Sequence, residues 1–216
     1  MICMRPFLIL ALIFWCTVPG NTSDNTMPAQ TLLDGIENQY AGKSFSADFI
    51  QTSTLSALDI NETASGKAWF SHPGKMKWQY LTPERHDIIT NGTELWIFRP
   101  EENQVMRGDA ARFFQSGAGG AFLSDISLIR KNYTVSVKET TEERAELLLE
   151  DQSGNPDIHR IIIRVCPKQF HISHVTTVNA FGDTTHFEFS NISFLQIPDD
   201  WFDFTIPSGV NLIDMN

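Results

Sequence analysis

Cysteine is too scarce for a disulfide framework. The chain has three cysteines in 216 residues, and two of them, Cys3 and Cys16, lie in an N-terminal stretch that reads as a removable leader. Cys166 is then left without an intramolecular partner. It follows the apolar run Ile161 to Val165 and reads as a small buried hydrophobe, not a nucleophile. Positive charge is also scarce: 16 Lys and Arg face 26 Asp and Glu, for a net charge of −10. That balance argues against electrostatic binding to nucleic acid or to an anionic membrane surface. The apolar run Phe7 to Val18 is shorter than the about 20 residues needed to span a bilayer. With Arg5 before it and Val18-Pro19-Gly20 at its end, it has the plan of a secretory signal covering residues 1–20. Two alternatives are a retained anchor and acylation at Cys16, although Ile13-Phe14-Trp15 is bulky for an acylation signal. Cleavage would remove Arg5 and no acid, leaving the mature chain more negative by one charge.

Catalytic signatures are missing as well. There is no Gly-x-Ser-x-Gly elbow, no His-Glu-x-x-His and no Cys/His pair at metal spacing. The histidines His72, His86, His159, His171, His174 and His186 are scattered, and His171 and His174 could meet a metal only with partners the pattern does not identify. The run Gly117-Ala118-Gly119-Gly120 lacks the Lys-Ser/Thr of a phosphate loop and reads as a flexible connector. No enzyme, cofactor or metal is expected. The five Asn-x-Ser/Thr matches would matter only in a eukaryotic secretory pathway.

What the chain does have is alternation. Ala64, Gly66, Ala68 and Phe70 share one face, and after His72-Pro73-Gly74 the pattern resumes with Met76, Trp78 and Tyr80 against Lys75, Lys77 and Gln79. This period of two predicts a hairpin with one very apolar face. Asn91-Gly92 marks a tight turn before Leu95-Trp96-Ile97-Phe98, a strand expected to be covered on both faces. Further strands are predicted over 45–52, 104–107, 133–138, 145–150, 158–166, 172–180, 184–194 and 202–206, with 53–61 as a loop. Helical spacing appears at Leu33, Ile36 and Tyr40, over Ala110 to Gln115 with Phe113 and Phe114, and at Phe122, Ile126 and Ile129 within 121–130. The fold class is therefore mainly β with a few helices (α+β): a curved antiparallel sheet of about ten strands with short amphipathic helices. The mature 21–216 is expected to form one domain.

The order Phe70-Ser71-His72-Pro73, Met76, Trp78, Pro83, Asn91-Gly92, Leu95-Trp96 and Pro100 resembles the periplasmic outer-membrane lipoprotein carrier family, LolA. Phe45 to Thr52 resembles that family's first strand and Phe202 to Val210 its closing strand. The resemblance implies an incomplete half-barrel whose apolar concave face is covered by short helices. It also implies a periplasmic chaperone that takes lipoproteins by their acyl chains from an inner-membrane lipoprotein-releasing ABC transporter to an outer-membrane acceptor, working as a monomer. On that reading Phe49, Ala68, Phe70, Met76, Trp78, Tyr80, Trp96 and Phe98 line the acyl-chain cavity, and Leu33, Ile36, Phe113, Phe114, Phe122 and Ile126 form the lid. His72 stands where relatives place an Arg that holds the lid through lid carbonyls. Histidine is shorter, has at most two donors and is mostly neutral at pH 7, so other residues are expected to share that work.

Periodicity alone leaves two ways to satisfy such an inner face: side chains that fill it, or a cavity that they line. The resemblance favours the cavity. Two other binding roles stay open, a lipid-anchored outer-membrane acceptor of similar fold and a soluble binder of another hydrophobic ligand.

Overall fold

Strands with one apolar face need a common cover, and here they obtain it by joining a single sheet. The computed structural model describes residues 27–115, 123–152, 154 and 156–215. The predicted signal, Phe122 and the glycines of the connector lie outside them. Helix α1 (Ala29–Tyr40) comes first, with Leu32, Leu33, Ile36 and Tyr40 buried along one stripe. Six strands follow: β1 (Ser44–Leu55), β2 (Ile60–Ser71), β3 (Lys75–Thr82), β4 (His86–Thr90), β5 (Glu94–Arg99) and β6 (Gln104–Asp109). After α2 (Ala110–Gln115) and α3 (Leu128–Asn132) come β7 (Tyr133–Thr140), β8 (Ala145–Asp151), β9 (Arg160–Val165), β10 (Ile172–Val178), β11 (Thr184–Phe194) and β12 (Asn211–Asp214).

The 12 strands form one open sheet in the order β12-β6-β5-β4-β3-β2-β1-β11-β10-β9-β8-β7. Pairing β1 with β11 joins the two halves of the chain in mid-sheet. All neighbours are antiparallel except β12, which runs parallel to β6. The main core lies on the inner face, where α1 and the 123–132 segment pack against β1 to β3 and β7 to β11. None of the helices in the described residues is long and apolar enough to cross a membrane.

Three elements differ from expectation. The loop predicted over 53–61 is mostly strand, because β1 and β2 stay paired out to Leu55 and Ile60. Polar alternation there lacks an apolar face, which is why it does not read as strand. The helix predicted over 121–130 is confined to α3 in the described residues, with a short 3-10 turn at Leu123 and Ser124. The predicted strand over 202–206 makes no ladder: a 3-10 turn spans Asp199–Phe202, and Phe204, Ile206 and Val210 pack on a small outer core of Ile89, Trp96 and Val105. Alternation there serves packing across the outer face of the sheet. Pairing is deferred to β12, four residues too polar and short to announce themselves.

Candidate functional site

The inner face is built where β1, β2 and β3 meet. Their register sets Phe45 beside Phe70, Ala47 beside Ala68, Phe70 beside Met76, and Ala68 beside Trp78, while β11 adds Phe189 beside Phe49. Phe45 and Phe70 stack at 4.6 Å. Trp78 meets Phe49 edge-on at 4.8 Å, Phe70 at 5.5 Å and Phe187 at 5.1 Å. Gly66 makes this crowding feasible: a Cβ there would lie 2.0 Å from the Gln79 carbonyl oxygen and 2.9 Å from the Phe49 ring. Such a position tolerates only glycine.

These rings fill the interior. Among Tyr40, Phe45, Ala47, Leu123, Ile172, Phe189 and Ile192 the remaining gap is about 10 Å³. That is no more than the room of one water molecule, too little for an acyl chain. Among the described residues, the space expected under the helices is narrowed there to that gap by the protein's own side chains. Phe49, Ala68, Phe70, Met76, Trp78 and Tyr80 share the inner face as expected, and all are buried. Trp96 and Phe98 do not join them. Register places Ile88 and Ile97 behind Trp78, so the alternate residues Ile89, Trp96 and Phe98 turn outward against Phe204. The strand is covered on both faces, and the two aromatics chosen for the cavity belong to the other cover.

The helices close the inner face through few polar links. Leu33 and Ile36 of α1, together with Ile126 and Ile129, sit in the main core, and Phe113 and Phe114 pack at its margin. Arg130 of α3 spans two carboxylates of α1, with Nη2 2.5 Å from Asp34 Oδ1 and Nε hydrogen-bonded to Glu37. The Ile172 amide donates to Tyr40 Oη at 2.8 Å, and burial pushes the Tyr40 phenol up despite that bond. Phe170 lies flat on α1, where a Cβ at Gly35 would come within 2.2 Å of its ring. His72 meets the backbone of Leu123, and the Gly74 amide donates to the Ser124 carbonyl at 2.7 Å. Burial holds His72 down at about 4, with Asp125 and the Leu123 bond pulling weakly the other way. Its Nε2 is buried without a partner among the described residues, so the ring is a neutral single donor to the Leu123 backbone.

A cavity of about 510 Å³ lies beyond Tyr80, among Gln51, Ser53, Glu62, Ala64, Glu84 and His86. Tyr80 Oη donates to Gln51 Oε1 at 2.7 Å, and the Tyr80 ring stacks on His86 at 4.2 Å. Burial pushes the Tyr80 phenol up, which keeps it a neutral donor. Sequence reasoning missed this mouth. The signal was present in β1, where the inward series Phe45, Ala47, Phe49 gives way to Gln51 and Ser53 and so marks the end of the dry interior.

His171 and His174, weighed together as metal ligands, are not brought together: His171 lies 5.2 Å from the Phe194 ring, whereas His174 faces His186 at 5.5 Å. Cys166, read as a small buried hydrophobe, is half-buried just past β9.

The family model described as "Outer membrane lipoprotein carrier protein LolA" matches residues 41–205. An outer-membrane lipoprotein carrier protein of Cupriavidus pinatubonensis is 27% identical over 205 residues, covering 93% of this chain and 92% of that one. One from Neisseria meningitidis serogroup B is 23% identical over 211 residues, covering 97% and 99%. An uncharacterized conserved protein from Thermus thermophilus superposes with a TM-score of 0.57 at 9% identity, over 86% of this chain and 98% of that one, a likeness of fold. An open 12-stranded sheet with a helix-covered apolar inner face, matched across that span by the family model, makes this chain a member of the outer membrane lipoprotein carrier family, LolA.

Proposed function

We propose that the protein is a periplasmic carrier that shelters the acyl chains of lipoproteins released by an inner-membrane ABC transporter and delivers them to an outer-membrane acceptor. The observation that supports this most is that a continuous aromatic inner face is covered by helices instead of a second sheet, with Arg130, Tyr40 and the His72 region as the polar fastenings. The closed interior makes the lid itself the occupant that an acyl chain replaces.

Magnitudes support such an exchange. Each methylene taken from water gains about 0.8 kcal/mol, so a chain of roughly 14 gains about 11 kcal/mol. Undocking α1 would expose Leu32, Leu33, Ile36 and Tyr40. At about 1.5–3 kcal/mol for each, that costs roughly 6–12 kcal/mol. The two terms nearly offset, so cargo can be both taken and released. Phe49, Ala68, Phe70, Met76, Trp78 and Tyr80 form the proposed acyl surface; Met76 adds a thioether that adapts to chain shape. Leu33, Ile36, Ile126, Phe113 and Phe114 belong to the proposed lid, and His72 acts as a weak latch to it. Contacts of this kind are non-directional, which suits cargo that shares only its lipid. The role requires no reaction chemistry.

The test is reconstitution. Proteoliposomes holding the transporter and a triacylated lipoprotein are given ATP and the mature chain, and lipoprotein is expected in the soluble fraction as a complex with it. Lipoprotein that stays in the membrane fraction would defeat the carrier reading. Mass spectrometry of the native N-terminus distinguishes an acceptor acylated at Cys16, and lipids co-purifying from the periplasm distinguish a carrier of another hydrophobic ligand.

A further inference from the structure

The outer face of β10 and β11 carries a cluster that the carrier role does not use. Cross-strand pairing sets His174 opposite Glu188 and Thr176 opposite His186, while the alternate residues Val175 and Phe187 point into the core. One nitrogen of each imidazole and one carboxylate oxygen of Glu188 lie within 4.8 Å of one another. His186 Nε2 is 3.6 Å from Glu188 Oε1. Each ring is also held from behind by a hydroxyl: Ser173 Oγ is 2.9 Å from His174 Nδ1, and Thr176 Oγ1 is 2.7 Å from His186 Nδ1. A hydroxyl on Nδ1 orients the ring, and in the tautomer where it accepts the Nδ1 proton it leaves Nε2 with the lone pair, as hydrogen-bond partners orient histidine ligands toward a metal. An ion pair on one strand would account for His186 with Glu188, but not for the second tethered imidazole arriving from the neighbouring strand.

We propose that His174, His186 and Glu188 form a binding site for a divalent transition cation of the zinc type, with water as the fourth ligand. Two imidazoles and a carboxylate favour such an ion over calcium or magnesium. Tetrahedral bonds of about 2.0–2.1 Å put ligand atoms roughly 3.4 Å apart, so separations of up to 4.8 Å need to close by at most about 1.4 Å. Arg164, the cation opposite His174 on the neighbouring strand, is engaged by Glu146 at 3.5 Å. Once bound, the ion ties β10 to β11 directly behind Phe187 and so stiffens the wall on which the inner rings rest.

The test is isothermal titration of Zn²⁺ into the mature chain, made without a histidine tag and stripped with EDTA. One Zn²⁺ per chain is expected, with affinity at least tenfold weaker in both Glu188→Gln and His186→Ala, and with Zn²⁺ raising the melting temperature of the unmodified chain alone. Should either variant fold poorly, Thr176→Val removes only the hydroxyl behind His186 and is expected to weaken binding about tenfold. No saturable binding by the unmodified chain, or binding that these substitutions leave unchanged, overturns the site.

Discussion

The contact of His72 with the Leu123 backbone makes a quantitative prediction about pH. Its ring is held neutral by burial, with a pKa lowered from 6.5 to about 4, and its second nitrogen has no acceptor among the described residues. Folding therefore favours the neutral ring. The contribution is complete above pH 6.5 and is lost as pH falls from 6.5 toward 4, because the unfolded chain then takes up a proton that the fold resists. The shift corresponds to about 3 kcal/mol in total, of which a little under half is lost by pH 5.5 and most by pH 4.5. His72→Gln keeps a donor for the Leu123 backbone and cannot titrate. Urea unfolding of both proteins at pH 7.5, 6.5, 5.5 and 4.5 isolates the residue from the other titrating groups, since those cancel in the difference. The stability of the natural chain relative to the variant is expected to fall by these amounts as pH drops. A difference that stays constant with pH would refute the account of His72 as a buried neutral donor.

Arg130→Met removes both links between α3 and α1, and with partly exposed ion pairs the loss is about 1 kcal/mol, seen as faster amide exchange in α1 and more binding of a hydrophobic dye. Gly66→Ala drives a methyl into the Gln79 carbonyl and is expected to cost about 3 kcal/mol or more in urea unfolding. Trp78→Ala and Trp96→Ala should each destabilise by about 3–5 kcal/mol. Only the first should lower lipoprotein uptake per folded molecule, because Trp96 packs on the outer core; equal losses of uptake would contradict the assignment of faces.

Strands with strict alternation were legible because a period of two states which side is dry before any partner is known. The hairpin at Ala64 to Tyr80 and the stripe of α1 are examples, and the structure keeps both. Trp96 shows the limit. In Leu95-Trp96-Ile97-Phe98 every residue is apolar, so alternation carries no face information, and pairing with Ile88 and Ile89 had to decide it. Gln51 and Ser53 show a signal that was present but unread, polar residues continuing an inward series. The cluster of His174, His186 and Glu188 could not be read at all, because a ring from one strand meets two side chains from the next only through register.

By itself the chain determined its class: mostly strands, one face aromatic, helices enough to cover it, and too little positive charge for nucleic acid. Those properties are local, set by residue type and spacing. Tertiary structure alone decided whether the inner face is hollow or filled, which rings belong to it, and what fastens the cover. The cause is packing. The space left between a curved sheet and its helices is a small difference between large volumes, and no periodicity along a chain reports it.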